Sequence, residues 1–146
     1  MLLILAAQRE GNRLYGQALR PLGVTPSQAE VLSLLRERQP LTLTGLGRLL
    51  VCESNSNPSR LVDRLIGLGL VDRRVPEHDR RQTELSLTDH GEQVAGEIVH
   101  LEQSFLATVD EAAQGHDVDQ ITGFLRTFVA DLPSGRAIAR RAASTV

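Results

Sequence analysis

The sequence predicts a mainly α-helical protein that contains one short β-hairpin. Apolar residues recur at helical spacing along most of the chain, capping signals precede several of these segments, and one stretch alternates apolar with polar residues. The chain has 146 residues, of which 41% are hydrophobic, so a single domain can bury a core. Its single cysteine excludes a disulfide framework.

A glycine turn separates the first two predicted helices. Apolar residues at helical spacing extend to about Leu22, and Gly23 ends this helix. The sequence TPSQ at residues 25–28 combines a Thr cap, a Pro in the first helical position and a Gln that can reach back to the cap. The second helix therefore begins at this capping box and ends before Gln39-Pro40.

A polar run separates the third and fourth predicted helices. The third helix spans residues 42–50 and contains two glycines, which predict close packing against a neighbouring helix, because glycine lowers helix propensity. The polar run at 53–58 offers Ser54 and Asn57 as alternative caps of the fourth helix. This helix extends to about Leu68, and its first residue stays open.

The hairpin and two more helices complete the predicted order. Residues 70–74 and 83–87 have the composition of two short strands, joined by a loop that is too long for a tight turn. A long helix is predicted over 88–113, and a last helix begins at Asp117 and is stopped by Pro133. Core positions are expected for the three phenylalanines, Phe105, Phe124 and Phe128.

Three short helices followed by a hairpin are the element order of a winged helix-turn-helix. In this fold the start of one helix enters the major groove of DNA, where Asn can bind adenine edges and Arg can bind guanine. Arginines on the hairpin loop suit the narrow minor groove. The residues predicted to bind DNA are Ser54, Asn55, Ser56, Asn57, Ser59, Arg60, Arg64, Arg73, Arg74, Arg80 and Arg81. Arg64 could instead pair with Asp63 or Glu53.

The charges of the chain are segregated along the sequence. The net charge is -2 and all 16 cations are arginine. Segment 36–81 carries nine arginines against six acidic side chains, whereas segment 82–125 carries nine acidic side chains and no arginine. DNA should therefore be attracted to one part of the protein and repelled from another.

These segments resemble the MarR family of bacterial transcriptional regulators. The resemblance covers about residues 22–91, in the sequences LGVTPSQAEVLSLL, SRLVDRLIGLGLVDR and DRRQTELSLTDHG. Its most diagnostic part is Asp79-x-Arg81 followed by the sequence LSLT at 85–88. The resemblance implies that Arg81 enters the minor groove, that Asp79 orients the wing, and that residues 54–60 begin the recognition helix. Two glycines in the third helix and a short wing depart from the family pattern.

The resemblance also implies a domain organisation and an assembly. Residues 1–146 would form one domain, with dimerisation helices at 1–22 and 110–146, a winged-helix lobe at 25–88 and a linking helix at 88–113. The homodimer would place two recognition helices in successive major grooves ~34 Å apart on a pseudo-palindromic operator. A cytoplasmic repressor in a bacterial or archaeal cell is expected.

A small-molecule effector is a further implication of the resemblance. An aromatic or anionic molecule would bind where the first, second and fifth helices meet and would weaken DNA binding. The candidate contacts are Arg13, Tyr15 and Arg20. Neither the effector nor the target genes can be named from the sequence.

Two other functions remain open. The acidic segment 82–125 could make the chain a winged-helix module that binds other proteins. Cys52 could make it a thiol-based redox sensor, although the apolar run at 49–51 that precedes it is more typical of a buried, unreactive side chain.

Enzymatic, metal-binding and membrane functions are not expected. The sequence lacks nucleophile-elbow, phosphate-loop and dinucleotide motifs, and its four histidines lack the spacing of metal ligands. No cofactor is therefore predicted. The longest apolar run, residues 2–7, is far shorter than the ~20 residues of a membrane helix.

Overall fold

The computed structural model describes residues 1–51, 57–76 and 82–143, and these ranges contain seven α-helices and three β-strands. The elements are α1 (Leu2–Leu19), α2 (Pro26–Arg38), β1 (Leu41–Thr42), α3 (Leu43–Gly47), α4 (Pro58–Gly67), β2 (Val71–Arg74), β3 (Glu84–Leu87), α5 (Asp89–Ala112), α6 (Val118–Val129) and α7 (Pro133–Ala143). A short 3-10 helix, Arg20–Leu22, follows α1. The predicted mainly helical fold is confirmed.

Side-chain caps begin the helices at the predicted residues. The hydroxyl of Thr25 accepts a hydrogen bond from Gln28 N at 3.3 Å, and Gln28 Oε1 accepts one from Thr25 N at 2.8 Å, which completes the capping box. These bonds satisfy backbone groups that the first turn of a helix leaves unpaired. Three further predicted caps accept a hydrogen bond in the same way, those of Thr42, Thr88 and Asp117.

The fourth helix begins at the later of its two predicted starts. Asn57 is the cap of α4, and its Oδ1 atom accepts a hydrogen bond from Ser59 N at 3.0 Å. Pro58 occupies the first helical position, where the missing N–H has no partner to lose. Ser54, the other predicted cap, lies outside the described residues.

The third helix is shorter and less closely packed than predicted. It ends at Gly47 rather than at Leu50. A Cβ atom at Gly47 would lie 3.5 Å from Pro58 Cγ, which is an ordinary contact. The nearest atom to a Cβ at Gly45 would be Oγ1 of Thr42, within the same helix start, at 3.1 Å. The two glycines therefore do not mark a close approach of another helix.

The predicted two-stranded hairpin is part of a three-stranded antiparallel sheet. Its order is β1-β3-β2, with Leu41 opposite Leu85 and Val71 opposite Leu87. The sequence prediction missed β1 because two residues cannot show the alternation that identifies a strand. This strand ties the start of α3 to the base of the wing, which we define as β2, β3 and the loop that joins them.

The core surrounds α2. This helix packs against α1, α4, α5 and β3, and its Leu32 and Leu35 side chains are fully buried. The first half of α5 joins the same core through Val94 and Ile98. Toward its end α5 becomes exposed, and Val109 is 47% accessible. The long helix is thus anchored in the core at one end only.

Two of the three phenylalanines are not in the core, and the prediction for them was wrong. Phe124 and Phe128 are each 58% exposed on α6, with their rings stacked 6.3 Å apart. Helical spacing predicted that they share a face but could not show that this chain leaves the face uncovered. Phe105 is half-buried, and its ring lies 6.0 Å from that of Tyr15.

One helix after Pro133 was not predicted. Pro133 follows the end of α6 as expected, but it is also the first residue of α7. Gly135 and Ala137 of α7 are buried. A Cβ atom at Gly135 would overlap the carbonyl oxygen of Val129, so α6 and α7 meet at a tight corner.

Replacing Gly91 with alanine should destabilise the protein. A Cβ atom there would overlap the carbonyl oxygen of Leu70 and lie 3.3 Å from Leu87 Cδ2. We expect Gly91→Ala to lower the free energy of unfolding by about 3 kcal/mol, because backbone must move. Urea unfolding at matched protein concentration measures this loss.

Gly67→Ala is the matched control, since nothing lies within 4 Å of its added Cβ. This variant should be as stable as the wild type or gain up to ~1 kcal/mol from helix propensity. Equal stability of the Gly91→Ala variant and the wild type would contradict the packing described for the start of α5.

Candidate nucleic-acid interface

The orientation of α4 is fixed by three buried side chains. Leu61, Val62 and Leu65 face the core, where α4 packs against α2 and α3. Because these positions share one face of the helix, the opposite face is turned to solvent. Arg60, Asp63 and Arg64 are exposed on that face, as predicted from the sequence.

Arg60 and Arg64 lie one turn apart on the exposed face of α4. Residues at this spacing are neighbours on a helix surface. Within the described ranges neither guanidinium forms an ion pair, and Arg64 does not pair with Asp63. Glu53, the other acidic partner considered for Arg64, is outside those ranges. Two cations that have no ion-pair partner among the described residues therefore lie side by side on this helix.

Arg73 and Arg74 on β2 are paired with carboxylates. Arg73 Nη2 lies 3.0 Å from Asp63 Oδ1, and this ion pair connects the wing with α4. Arg74 Nη2 lies 3.9 Å from Asp72 Oδ2. All four side chains are at least 43% exposed, and such pairs contribute about 0–1 kcal/mol. A phosphate could displace either carboxylate at little cost.

The first turn of α4 presents small polar side chains beside these arginines. Asn57 is exposed and Ser59 is half-buried. Since Oδ1 of Asn57 is used by the cap, its Nδ2 group is the part that can donate to another molecule. Ser59 lines a cavity of about 490 Å³ between α4 and the sheet.

That cavity contains polar residues that the sequence prediction missed. Thr44, Gln82 and Thr83 line it together with Ser59 and Arg73. Hydroxyl, amide and guanidinium groups are common donors to phosphate oxygens. No local pattern indicates this cluster, because the pairing of β1 with β3 brings together segments that are about 40 residues apart in the chain.

Several predicted site residues lie outside the described part of the chain. The group comprises Ser54, Asn55, Ser56, Asp79, Arg80 and Arg81, together with the single cysteine, Cys52. Their contributions to DNA binding or redox sensing stay predictions.

The structure places the three predicted effector contacts in different surroundings. Tyr15 lines a cavity of about 390 Å³ with residues of α1, α2, α5 and α7, and its hydroxyl donates to Glu102 Oε1 at 2.7 Å. Arg13 instead pairs with Glu10 at 2.7 Å on the surface of α1. Arg20 is exposed. Of the three predicted contacts, only Tyr15 lines this cavity, which lies where α1, α2 and α5 meet, as the prediction required.

Comparison with known proteins identifies the family. The sequence profile of the MarR family matches residues 22–82. The multiple antibiotic resistance protein MarR of Escherichia coli is 30% identical over 118 residues, which cover 76% of this chain and 81% of that protein. The chain belongs to the MarR family. The resemblance found in the sequence is thereby confirmed, and members of this family are transcriptional regulators rather than enzymes.

Two further proteins are similar to this MarR-family chain. The organic hydroperoxide resistance transcriptional regulator of Bacillus subtilis is 28% identical over 130 residues, which cover 89% of this chain and 86% of that protein. The crystal structure of a Staphylococcus aureus (S. aureus) MepR–DNA complex superposes with a TM-score of 0.80 at 20% identity, covering 90% and 96% of the two chains. This superposition confirms the winged helix-turn-helix fold.

Two kinds of feature are absent from the described residues. No helix among them combines the length and apolar character needed to cross a bilayer. The same residues contain no cluster of three or more His, Cys, Asp or Glu side chains placed to hold a metal ion.

Proposed function

We propose that this MarR-family protein is a sequence-specific, double-stranded DNA-binding transcriptional regulator. It acts as a homodimer on a pseudo-palindromic operator and represses transcription until an effector releases it. The exposed face of α4, with Arg60 and Arg64 free of ion pairs in the described ranges, is the observation that carries this proposal. The DNA complex of the structurally similar MepR supports the same use of the fold.

The DNA contacts follow from the geometry of α4 and the wing. A major groove admits one helix, and the residues at its start contact base edges. Asn57, Ser59 and Arg60 occupy that start. Arg64 lies one turn farther along the helix, where it would contact the phosphates of the DNA backbone. If a DNA phosphate replaced Asp63 in its ion pair, Arg73 would contact the DNA backbone as well. We assign residues 54–56 to the same groove and Arg80 and Arg81 to the minor groove, with Asp79 orienting the wing.

The homodimer covers the apolar faces that a single chain leaves exposed. On α6 these are Ile121, Phe124, Leu125 and Phe128, which are 41% to 58% exposed, and on α1 Leu2 and Leu3 are more than 80% exposed. We assign residues 1–22 and 110–146 to this interface. The linking helix α5 has 24 residues, about 36 Å at 1.5 Å per residue, and holds the winged-helix lobe away from the dimer contact.

The effector binds in the cavity where α1, α2 and α5 meet. Three carboxylates, those of Glu30, Glu37 and Glu102, line it with one guanidinium, that of Arg141. This balance of charge disfavours an anion, so of the two ligand classes that the family resemblance implied, aromatic and anionic, an aromatic ligand that is neutral or cationic fits the cavity better. Binding would favour a conformation in which the two recognition helices no longer match successive grooves.

A redox response is the second candidate function. The similarity to a regulator named for organic hydroperoxide resistance favours it, and Cys52 is the only thiol in the chain. Oxidation there, directly before the recognition segment, would alter DNA binding.

Substitutions on α4 test the DNA-binding proposal. Operator duplexes are first selected from a random library with the wild type, and binding is measured by fluorescence anisotropy over a range of salt concentrations. Arg60→Ala should weaken binding by about 1–3 kcal/mol and relax specificity at one base pair. Arg64→Ala should weaken binding to all duplexes and reduce the salt slope by about 0.9, because one phosphate contact is lost.

Arg36→Ala is the control for these variants, since Arg36 is an exposed cation near the end of α2 that belongs neither to the proposed DNA contacts nor to the proposed dimer interface. Its affinity should equal that of the wild type. A wild-type affinity that does not fall as salt rises would exclude phosphate contacts and favour a protein-binding function for segment 82–125.

Charge on the exposed face of α6 should break the dimer. Phe124→Glu with Phe128→Glu places two carboxylates where the proposed interface is apolar, so we expect monomers by light scattering and a large loss of operator affinity. Leu68→Glu is the matched control, because Leu68 is also 50% exposed but lies after α4. A double variant that remains dimeric would show that α6 does not form the interface.

The thiol candidate makes a separate prediction. If Cys52 is the sensor, an organic hydroperoxide releases the wild type from its operator and leaves Cys52→Ser bound. Anisotropy before and after oxidation measures this difference. Equal behaviour of the two proteins would eliminate the redox function while leaving the DNA-binding proposal intact.

A further inference from the structure

The C-terminal helix α7 is fastened to the winged-helix lobe by arginines. The Arg141 guanidinium pairs with Glu30 of α2 through Nη2, and its Nε donates to the carbonyl oxygen of Leu49 at 2.8 Å. Arg38 Nη2 of α2 in turn donates a hydrogen bond to the carbonyl oxygen of Arg141 at 2.8 Å. Arg140 Nη1 donates a further hydrogen bond to the carbonyl oxygen of Arg48 at 3.2 Å. The end of α7 is therefore held at the chain segment that follows α3.

The same carboxylate holds the backbone that leads to α4. Glu30 Oε1, the atom that pairs with Arg141, also accepts a hydrogen bond from Val51 N at 2.7 Å. Val51 precedes residues 52–56, which lie outside the described part of the chain, and α4 follows them with Asn57 as its cap and Pro58 as its first residue. One oxygen atom thus connects the C-terminal helix, the central helix and the entrance to the recognition segment.

Burial makes this connection sensitive to the loss of either partner. The Glu30 side chain is only 9% exposed, and that of Arg141 is 31% exposed. A carboxylate with so little contact to water needs its hydrogen-bond donors, so removing the guanidinium favours conformations in which Glu30 turns to solvent and releases Val51.

The position of α7 also depends on α6. The two helices meet at the tight corner formed by Gly135 and Val129, and Ala137 is 2% exposed. Glu30 and Arg141 additionally line the cavity of about 390 Å³ assigned to the effector. The Arg141–Glu30 ion pair therefore links a helix of the proposed dimer interface to the proposed effector cavity and to the chain segment that precedes α4.

We propose that Arg141 and Glu30 are positioning residues that set the DNA affinity of α4 from the C-terminal helix. Docking of Arg141 on Glu30 holds Val51, and Val51 fixes where the recognition segment begins. Neither side chain contacts DNA in this mechanism. The inference rests on the proposed DNA-binding function, but the docking itself can be measured without DNA.

Arg141→Ala tests the coupling in two ways. Without DNA, hydrogen exchange at the Val51 amide should become at least tenfold faster than in the wild-type dimer, because its acceptor is released. With the selected operator, affinity should fall about tenfold, as expected if the binding-competent position is reduced to about a tenth of the population. The salt slope should stay unchanged, since no phosphate contact is lost.

Arg36→Ala is the matched control. It removes an arginine charge from α2, the helix that also carries Glu30, but Arg36 is exposed, donates a hydrogen bond to the carbonyl oxygen of Glu92 at 3.3 Å and lies outside the proposed dimer interface and DNA contacts. Exchange at Val51 and operator affinity should both equal those of the wild type. A loss in this variant as large as that in Arg141→Ala would show that charge, and not docking, controls binding.

Glu30→Ala and the Arg141→Ala, Glu30→Ala double variant complete the test. Because both residues act through one contact, the double variant should bind no more weakly than the weaker single variant. Fully additive losses would overturn the coupling. If Arg141→Ala does not fold, Arg141→Lys keeps the charge without the Nε donor and should still lose affinity severalfold.

Three further results would overturn the inference. They are wild-type affinity in Arg141→Ala, unchanged exchange at Val51, and a salt slope reduced by about 0.9, which would make Arg141 a direct phosphate contact. If the wild type selects no duplex at all, the proposed DNA-binding function fails with it, whereas the exchange measurement still reports whether α7 holds Val51.

Discussion

Burial of one face of α4 against α2 is the constraint on which the candidate interface depends. Leu61, Val62 and Leu65 are inaccessible or nearly so, and a helix with three such anchors on one face has one possible rotation about its axis. That rotation turns Arg60 and Arg64 outward. The arginines are therefore not placed by contacts of their own; the hydrophobic core places them, and their charge stays available for a ligand.

The wing is tied to this helix by polar contacts of lower energy. Asp63 belongs to α4 and Arg73 to β2, so their ion pair joins the two parts that are proposed to contact adjacent grooves. An exposed pair of this kind is easily exchanged. The core thus sets the recognition helix firmly, whereas the wing can adjust to the duplex. The acidic α5 lies outside this contact and limits favourable approach of DNA to one side of the protein.

Local signals predicted much of this arrangement, and their limits are physical. Caps such as Thr25 and Asn57 act within four residues, so the sequence shows where their helices can begin. The strand β1 was missed because its two residues are too few to show alternation and its partner lies more than forty residues away. Phe124 and Phe128 have helical spacing, but spacing identifies a face without showing what covers it. The cavity between α4 and the sheet likewise depends on chain segments that meet only after folding.

The central helix α2 connects these parts because each of its faces meets a different neighbour. Leu32 and Leu35 bury the core face, whereas Glu30, Ser33 and Glu37 line the cavity proposed for the effector. A ligand that displaces the Glu30 side chain would therefore be able to affect α4 while the helix α2 itself stays in place. It need only remove the hydrogen bond to Val51. Under the proposed coupling, the loss of one acceptor at a position with 9% exposure would change the populations of two DNA-binding geometries, because unpaired buried groups cost about 1–3 kcal/mol.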